Sequence, residues 1–308
     1  MGHHQNTKLV LVVGGAGFIG SHTVDLLLSE GYRVRVLDNF STGKRHNLPE
    51  THERLEILAG DMSDQAILRR ICVDITHVLH LAAQVSVVDS LENPVFSCQQ
   101  NILSFVAVLD AARMHNARFV YASSAAIYGN QNTLPLQEED PALPISPYGL
   151  EKYSNELYAD LYGRIYGLSH LGLRYFNVYG PRQDPKSPYS GVISRFVDQV
   201  AAGKPLTVRG DGKQFRDFIH VRDVARANVA ALRGNTLGVL NVARGEATSI
   251  IELAKLIEKI SGSVSGVHWV PDIPGDIKRS LADSTRMRQF LCSPQWPLAE
   301  GIRELLGQ

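Results

Sequence analysis

Residues 9–20 read LVLVVGGAGFIG: five apolar positions, Leu9 to Val13, followed by Gly14-Gly15-Ala16-Gly17-Phe18-Ile19-Gly20 and then a stretch with helical character. An unbroken run of β-branched and aliphatic residues suits a strand buried on both faces, as in a parallel sheet. The glycines stand where a tight strand-to-helix turn would bring backbone N–H groups against a pyrophosphate, with the positive end of the helix behind them. The string can be parsed as GxGxxG from Gly15 or as GxxGxxG from Gly14. A second apolar run, Arg33 to Asp38, ends in an acid 18 residues after Gly20, near the spacing expected of a ribose-binding carboxylate. Such a carboxylate accepts the ribose hydroxyls and repels a 2′-phosphate, so NAD is expected rather than NADP. Asp61, after a third run, would reach the adenine or cap a helix.

Further strand-like runs at Leu55–Ala59, His77–Leu81, Arg118–Ala122 and Ser169–Tyr175 alternate with helical stretches at Gly20–Ser29, Asp64–Cys72, Asn101–Asn116 and Pro147–Tyr166. That alternation predicts an α/β doubly wound parallel sheet. After Tyr175 the segment NVYGPRQDPKSPYSG is rich in Pro, Gly and Ser and leaves the pattern. Helices at Val192–Ala202, Ile250–Ser261 and Thr285–Leu291, a strand at Leu206–Val208 and a strand–helix segment from Phe218 to Arg233 follow. We expect a dinucleotide-binding unit over 1–176 plus about 218–245, and a smaller mixed α/β substrate lobe from 177–217 and 246–308.

The 308 residues carry 31 Lys plus Arg against 31 Asp plus Glu, which excludes the basic footprint of a general nucleic-acid binder. No continuous apolar run approaches a membrane span, and the opening stretch has glycines where a secretory apolar region would continue. Three distant cysteines, Cys72, Cys98 and Cys292, offer neither zinc nor dithiol spacing. A soluble cytoplasmic protein with no metal site, no membrane and no nucleic-acid partner is expected.

Tyr148 and Lys152 are four residues apart in a predicted helix, so both side chains lie on one face. A nearby ammonium would pull the phenol toward ionisation and make Tyr148 a general base toward a hydroxyl. Taken alone the pair is common on solvated helix faces. Tyr121-Ala122-Ser123-Ser124 adds hydroxyls at the carboxyl edge of the sheet, where open α/β folds bind ligands. There Ser124 would pass a proton between substrate and Tyr148, or merely cap the next turn.

Together GGAGFIG, DNFSTGKR, SSAAIYG, SPYGLEKY, RYFNVYGPRQ and RDFIHVRDVA resemble an extended short-chain dehydrogenase/reductase, and within it the nucleotide-sugar epimerases, over nearly the whole chain. The resemblance implies bound NAD, a Ser124, Tyr148, Lys152 catalytic set, and a homodimer formed through helices near Pro94–Asn116 and Pro147–Tyr166. It assigns Gly14, Gly17, Phe18, Ile19, Gly20, Asp38, Asn39, Ser41, Gly43, Asp61, Met62, Leu81, Ala82, Ala83 and Tyr175, with Tyr148 and Lys152, to the cofactor. Relatives that dehydrate or decarboxylate carry an acid after the strand-end hydroxyl, whereas Ala125 and Ala126 stand here, which suits reversible oxidation at C4 of a UDP-hexose.

For the substrate the resemblance offers Ser123, Asn177, Val192, Asp276 and Arg216, the last a planar fork suited to a diphosphate. Ile273 and Pro274 stand where an arginine and a glutamate are usual, so Arg209 or Arg279 would supply any second guanidinium. Ser280 falls where a bulky tyrosine restricts relatives to plain hexoses. With Ser86, Gln183 and Gly191 it points to UDP-GlcNAc/UDP-GalNAc over UDP-Glc/UDP-Gal. A UDP-glucuronate 4-epimerase, a nucleotide-sugar 4-reductase and an NAD-sensing protein without chemistry are the competing readings.

Overall fold

A computed structural model describes residues 8–185, 191–263, 266–272 and 277–308. The strands are β1 (Leu9–Val13), β2 (Arg33–Asp38), β3 (Leu55–Ala59), β4 (His77–His80), β5 (Arg118–Ser124), β6 (His170–Tyr175), β7 (Asn177–Tyr179), β8 (Leu206–Arg209), β9 (Phe215–His220), β10 (Gly238–Val242), β11 (Ala247–Ser249) and β12 (Val267–Val270). The helices are α1 (Phe18–Ser29), α2 (Gln65–Ile71), α3 (Val87–Glu92), α4 (Pro94–Cys98), α5 (Ser104–Met114), α6 (Pro147–Tyr166), α7 (Val192–Ala201), α8 (Val221–Arg233), α9 (Ile250–Ser261), α10 (Thr285–Phe290) and α11 (Leu298–Leu305).

Seven strands form one parallel sheet in the order β10-β6-β5-β4-β1-β2-β3. All five residues of β1 are buried, as its apolar run requires. The chain winds outward from β1 to β3 and returns to β4 beside β1, so the winding reverses there and a crevice opens at the carboxyl ends of these two strands. One face is covered by α1 and α8, through Val24, Leu27, Val224 and Ala227. The other is covered by α2, α5 and α6, through Leu68, Phe105, Leu109 and Ala159. A three-stranded sheet, β11-β9-β7, and a pair, β12-β8, accompany a separate core of Ile193, Phe196, Val208, Leu253 and Ile302.

Several elements depart from the sequence expectation. β5 runs two residues further than expected, to Ser124, and so carries that hydroxyl to the sheet edge. The helix expected from Asn101 starts at Pro94 and continues to Met114 through a π turn at Gln99–Leu103. Over its most apolar stretch this 21-residue helix has a mean hydropathy of 1.3, enough in length and composition to cross a bilayer. Its Phe105, Val108, Leu109 and Ala112 are instead packed against the sheet. Strand β10, which the apolar pattern did not single out, extends the sheet beyond β6 in parallel register.

Candidate active site

The turn after β1 is built on glycine by necessity. Gly14 has φ of +83°, and a Cβ there would lie 2.7 Å from the backbone nitrogen of Ala82. A Cβ on Gly20 would overlap the Gly14 carbonyl oxygen. Gly17 caps α1 without a side-chain hydrogen bond, which leaves the first N–H groups of Phe18, Ile19 and their neighbours for an outside anion. Asp38 is buried at the end of β2, and its two oxygens accept from the backbone N–H groups of Ala16 and Phe40, each at 2.8 Å. Each oxygen retains a lone pair for a further donor. Asn39 donates to Asp61 at 2.9 Å, and the Ser63 hydroxyl holds the Asp61 carboxyl below its ordinary range. The exposed Ser41 donates its N–H to Asn39, and Gly43 lies where a Cβ would crowd Asp38. Leu81 and Ala82 both donate to the Val13 carbonyl, so with Ala83 they form a half-buried strip beside the glycines. Met62 is a core side chain. A side-chain-free cradle at a helix start with a buried carboxylate beside it fits a dinucleotide.

Ser124, Tyr148 and Lys152 converge at the carboxyl edge of the same sheet. Ser124 leaves β5 and accepts the Ala126 N–H at 3.1 Å, capping a 3₁₀ turn over Ala125–Tyr128. Helix α6 begins after Ser146, which accepts from Gly149, with Pro147 in the first turn. The Tyr148 N–H donates to Ser90 on α3 at 3.2 Å. Buried Lys152 donates to the Ala122 carbonyl at 3.0 Å, its Nζ 5.9 Å from the centre of the Tyr148 ring.

The electrostatics correct one expectation. The Tyr148 phenol is shifted upward by burial, opposed by its hydrogen bond with Ser124, while Lys152 is not among the groups that move it. Burial lowers Lys152 itself to about 8, against the pull of Glu151. Within the protein alone, the lysine is thus nearer its titration range than the phenol at neutral pH.

Ser123 does not join this group. It is buried and donates to Glu156 at 2.5 Å, and Glu156 also receives two N–H bonds from Arg174, at 2.9 and 2.7 Å. Arg174 continues to the Tyr128 hydroxyl and the Glu138 carbonyl, and Tyr128 donates to Asn241. The expected sugar contact is part of a buried charge network under α6. Ser86 is likewise committed: it is buried and its hydroxyl accepts the Asp89 N–H, capping α3. Tyr175 points its hydroxyl into the core, donating to Asn228 at 2.7 Å.

Other expected substrate residues do gather. Arg216 and Asn177 are half-buried on neighbouring strands, with Asn177 opposite Phe218 in the β7–β9 register. Phe215 bridges to Arg279 and accepts the Ser280 N–H at 3.2 Å, which sets Ser280, itself buried, beside the start of β9. Gln183 accepts the Ser194 hydroxyl at 2.5 Å and lies against Gly191, bringing Gly191, Val192 and Gln183 to the start of α7. Arg209 ends β8, where its carbonyl receives the Gln214 amide, and the Arg279 side chain is exposed. Asp276, Ile273 and Pro274 lie outside the described residues.

Asp217 is the residue that the sequence reading passed over. Fully buried, it accepts from the N–H groups of Arg244 and Gly245, both at 2.9 Å, and of Ala282 at 3.3 Å. It thereby fastens β9, with Arg216, to the segment that carries Ser280. Burial pushes its carboxyl up to about 6 against those three donors.

Comparison with known proteins accords with this geometry. Residues 10–243 match the NAD dependent epimerase/dehydratase family. A UDP-N-acetylglucosamine 4-epimerase from Methanobrevibacter ruminantium, solved with UDP-N-acetylmuramic acid, is 40% identical, with a TM-score of 0.95 over 98% of this chain and 97% of that one. A Thermus thermophilus UDP-glucose 4-epimerase solved with NAD is 38% identical, with a TM-score of 0.89 over 97% and 98%. The UDP-glucose 4-epimerase of Mycolicibacterium smegmatis is 37% identical over 95% of both chains. With its glycine cradle, its buried Asp38 and its Ser124–Tyr148–Lys152 edge, the chain belongs to the NAD dependent epimerase/dehydratase family of extended short-chain dehydrogenases/reductases.

Proposed function

We propose that the protein inverts C4 of a UDP-hexose with NAD, and that it favours UDP-GlcNAc/UDP-GalNAc over UDP-Glc/UDP-Gal. The observation that carries the reaction is the convergence of Ser124, Tyr148 and Lys152 beside the glycine turn. Bound at that turn, NAD would supply reversible hydride chemistry at C4, so no reductant would be consumed. Tyr148, directly or through Ser124, takes the C4 hydroxyl proton and returns it after the 4-keto sugar has turned about its link to the diphosphate. Lys152, anchored on the Ala122 carbonyl, would hold the nicotinamide ribose. Arg216 pairs with the diphosphate. Ala125 and Ala126 leave the site without an additional acid for chemistry beyond C4.

The substrate preference is supported by the small, buried Ser280 and by the Gln183–Ser194 pair next to Gly191. Val95, Phe96, Leu103, Met114, Leu157 and Ile165 leave apolar surface exposed along Pro94–Met114 and α6, which supports a homodimer through these helices. Free thiols at Cys72, Cys98 and Cys292 accord with a cytoplasmic protein.

The test is C4 inversion followed by NMR, with UDP-GlcNAc and UDP-Glc supplied separately, NAD added and no reductant. Faster formation of UDP-GalNAc is expected. Faster conversion of UDP-Glc overturns the preference. Conversion of neither overturns the activity; turnover of UDP-glucuronate would then identify a uronate epimerase, and oxidation of NADPH a 4-reductase.

A further inference from the structure

We propose that Glu151 is a positioning residue, a fixed buried charge that governs how the Tyr148–Lys152 pair holds its protons. The inference rests on the catalytic reading of that pair. Glu151 lies between the two in sequence and is 4% exposed. Its Oε2 accepts from Asn101 Nδ2 at 2.6 Å and from the Ser97 hydroxyl at 2.8 Å, both on the long helix that starts at Pro94. Asn101 sits in the π turn, an insertion that turns side chains out of the ordinary helical register. Its amide also clamps Gln84, accepting that N–H and donating to that carbonyl, each at 2.8 Å. Gln84 directly follows Ala83, in the strip beside the glycine turn. One carboxylate therefore ties α6 to the chain leaving β4, the two segments between which the hydride and proton must move.

Neutral donors satisfy the carboxylate without cancelling its charge, whereas Glu156, further along the same helix, is paired with the Arg174 guanidinium. That charge acts on both members of the pair: it favours the Lys152 ammonium and opposes the Tyr148 phenolate. The remaining groups around the pair do not replace it. On β4, His80 is kept neutral by burial and by Lys152, at about 3. On β5, Ser124 is uncharged and buried Tyr121 is shifted well upward. On α3, Ser90 receives the Tyr148 N–H, and Asp89 receives the Gln84 amide at 3.2 Å.

The experiment is the pH profile of kcat/KM for the NAD-loaded protein with Glu151→Gln. Loss of the charge lowers both titrations, so both limbs of the bell should move to lower pH, by about one unit. Glu151→Asp, which keeps the charge, should keep the limbs near their original positions. Reduced turnover with limbs unmoved in Glu151→Gln overturns the inference, since a purely structural contact changes amplitude alone. Glu151→Ser, too short to reach Ser97 and Asn101, removes the charge together with both bonds and gives the same comparison of limb positions if the glutamine variant does not fold. Tyr148→Phe separates the two claims. Retained turnover in that variant overturns the catalytic reading, while an inactive Tyr148→Phe with an unmoved Glu151→Gln profile overturns only the role of Glu151.

Discussion

Replacing Ser123 with alanine discriminates between the two sides of β5. The Ser123 hydroxyl is one of three donors to Glu156, the other two coming from the Arg174 guanidinium. Its removal leaves the carboxylate paired but short of one charge-assisted bond, a loss of about 1.5–3 kcal/mol. For a chain of 308 residues, the usual unfolding entropy per residue corresponds to about 0.65 kcal/mol per degree, so Tm should fall by about 2–5 °C. Differential scanning calorimetry on the NAD-loaded protein measures that shift. Steady-state kinetics should meanwhile show kcat and KM for the UDP-sugar within about twofold of the parent, because the Ser123 hydroxyl is buried and bonded to Glu156, two helical turns along α6 from Tyr148. Ser124→Ala should do the reverse, lowering kcat by about two orders of magnitude with a smaller change in Tm. A KM for Ser123→Ala raised tenfold at an unchanged Tm would refute the reasoning and return Ser123 to the substrate.

Gly14→Ala must place a Cβ at φ of +83° and against the Ala82 backbone, so NAD affinity measured by calorimetry should fall more than about tenfold; unchanged affinity would contradict the cradle. Asp217 titrates near 6 in the fold against 3.8 as an ordinary carboxyl. Its folded form binds the proton more tightly, so its contribution is most favourable below pH 4 and is lost as pH rises through 6. Relative to Asp217→Asn, the parent should therefore gain about 2.4 kcal/mol between pH 7 and pH 4 in urea unfolding; a constant difference would mean that the carboxyl is not desolvated. Ser280→Tyr should reduce kcat/KM for UDP-GlcNAc by at least about tenfold while UDP-Glc stays within about threefold. Equal losses would remove Ser280 as a gate.

The sequence exposed those parts of the site whose geometry is local. The glycine turn, the acid closing β2, and the Tyr148–Lys152 spacing each follow from one strand or one helical turn. Neighbours in a strand point to opposite faces, a distinction that the assignment of both Ser123 and Ser124 to the substrate did not use. Ser86 with Asp89 three residues later carries the pattern of a helix cap, which is the role it takes. By contrast, β7 and β11 have three residues each, too few for a period of two to declare itself. Asp217 could not be read from its neighbours, because its three donors come from 27, 28 and 65 residues away.

Glu151 shows where such reading stops. By spacing it lies three residues after Tyr148, on a side of α6 that a solvated acid would equally occupy. What buries it is Asn101, displaced inward by a π turn that no apolar periodicity announces. The same turn lets one amide hold both Gln84 and Glu151, so the spacing between the glycine strip and α6 depends on a residue that looks like an ordinary polar helix position. The side chains proposed for catalysis are set by local chemistry and their electrostatic surroundings by long-range packing, so relatives that keep Tyr148 and Lys152 can still differ in the pH at which the proposed pair works.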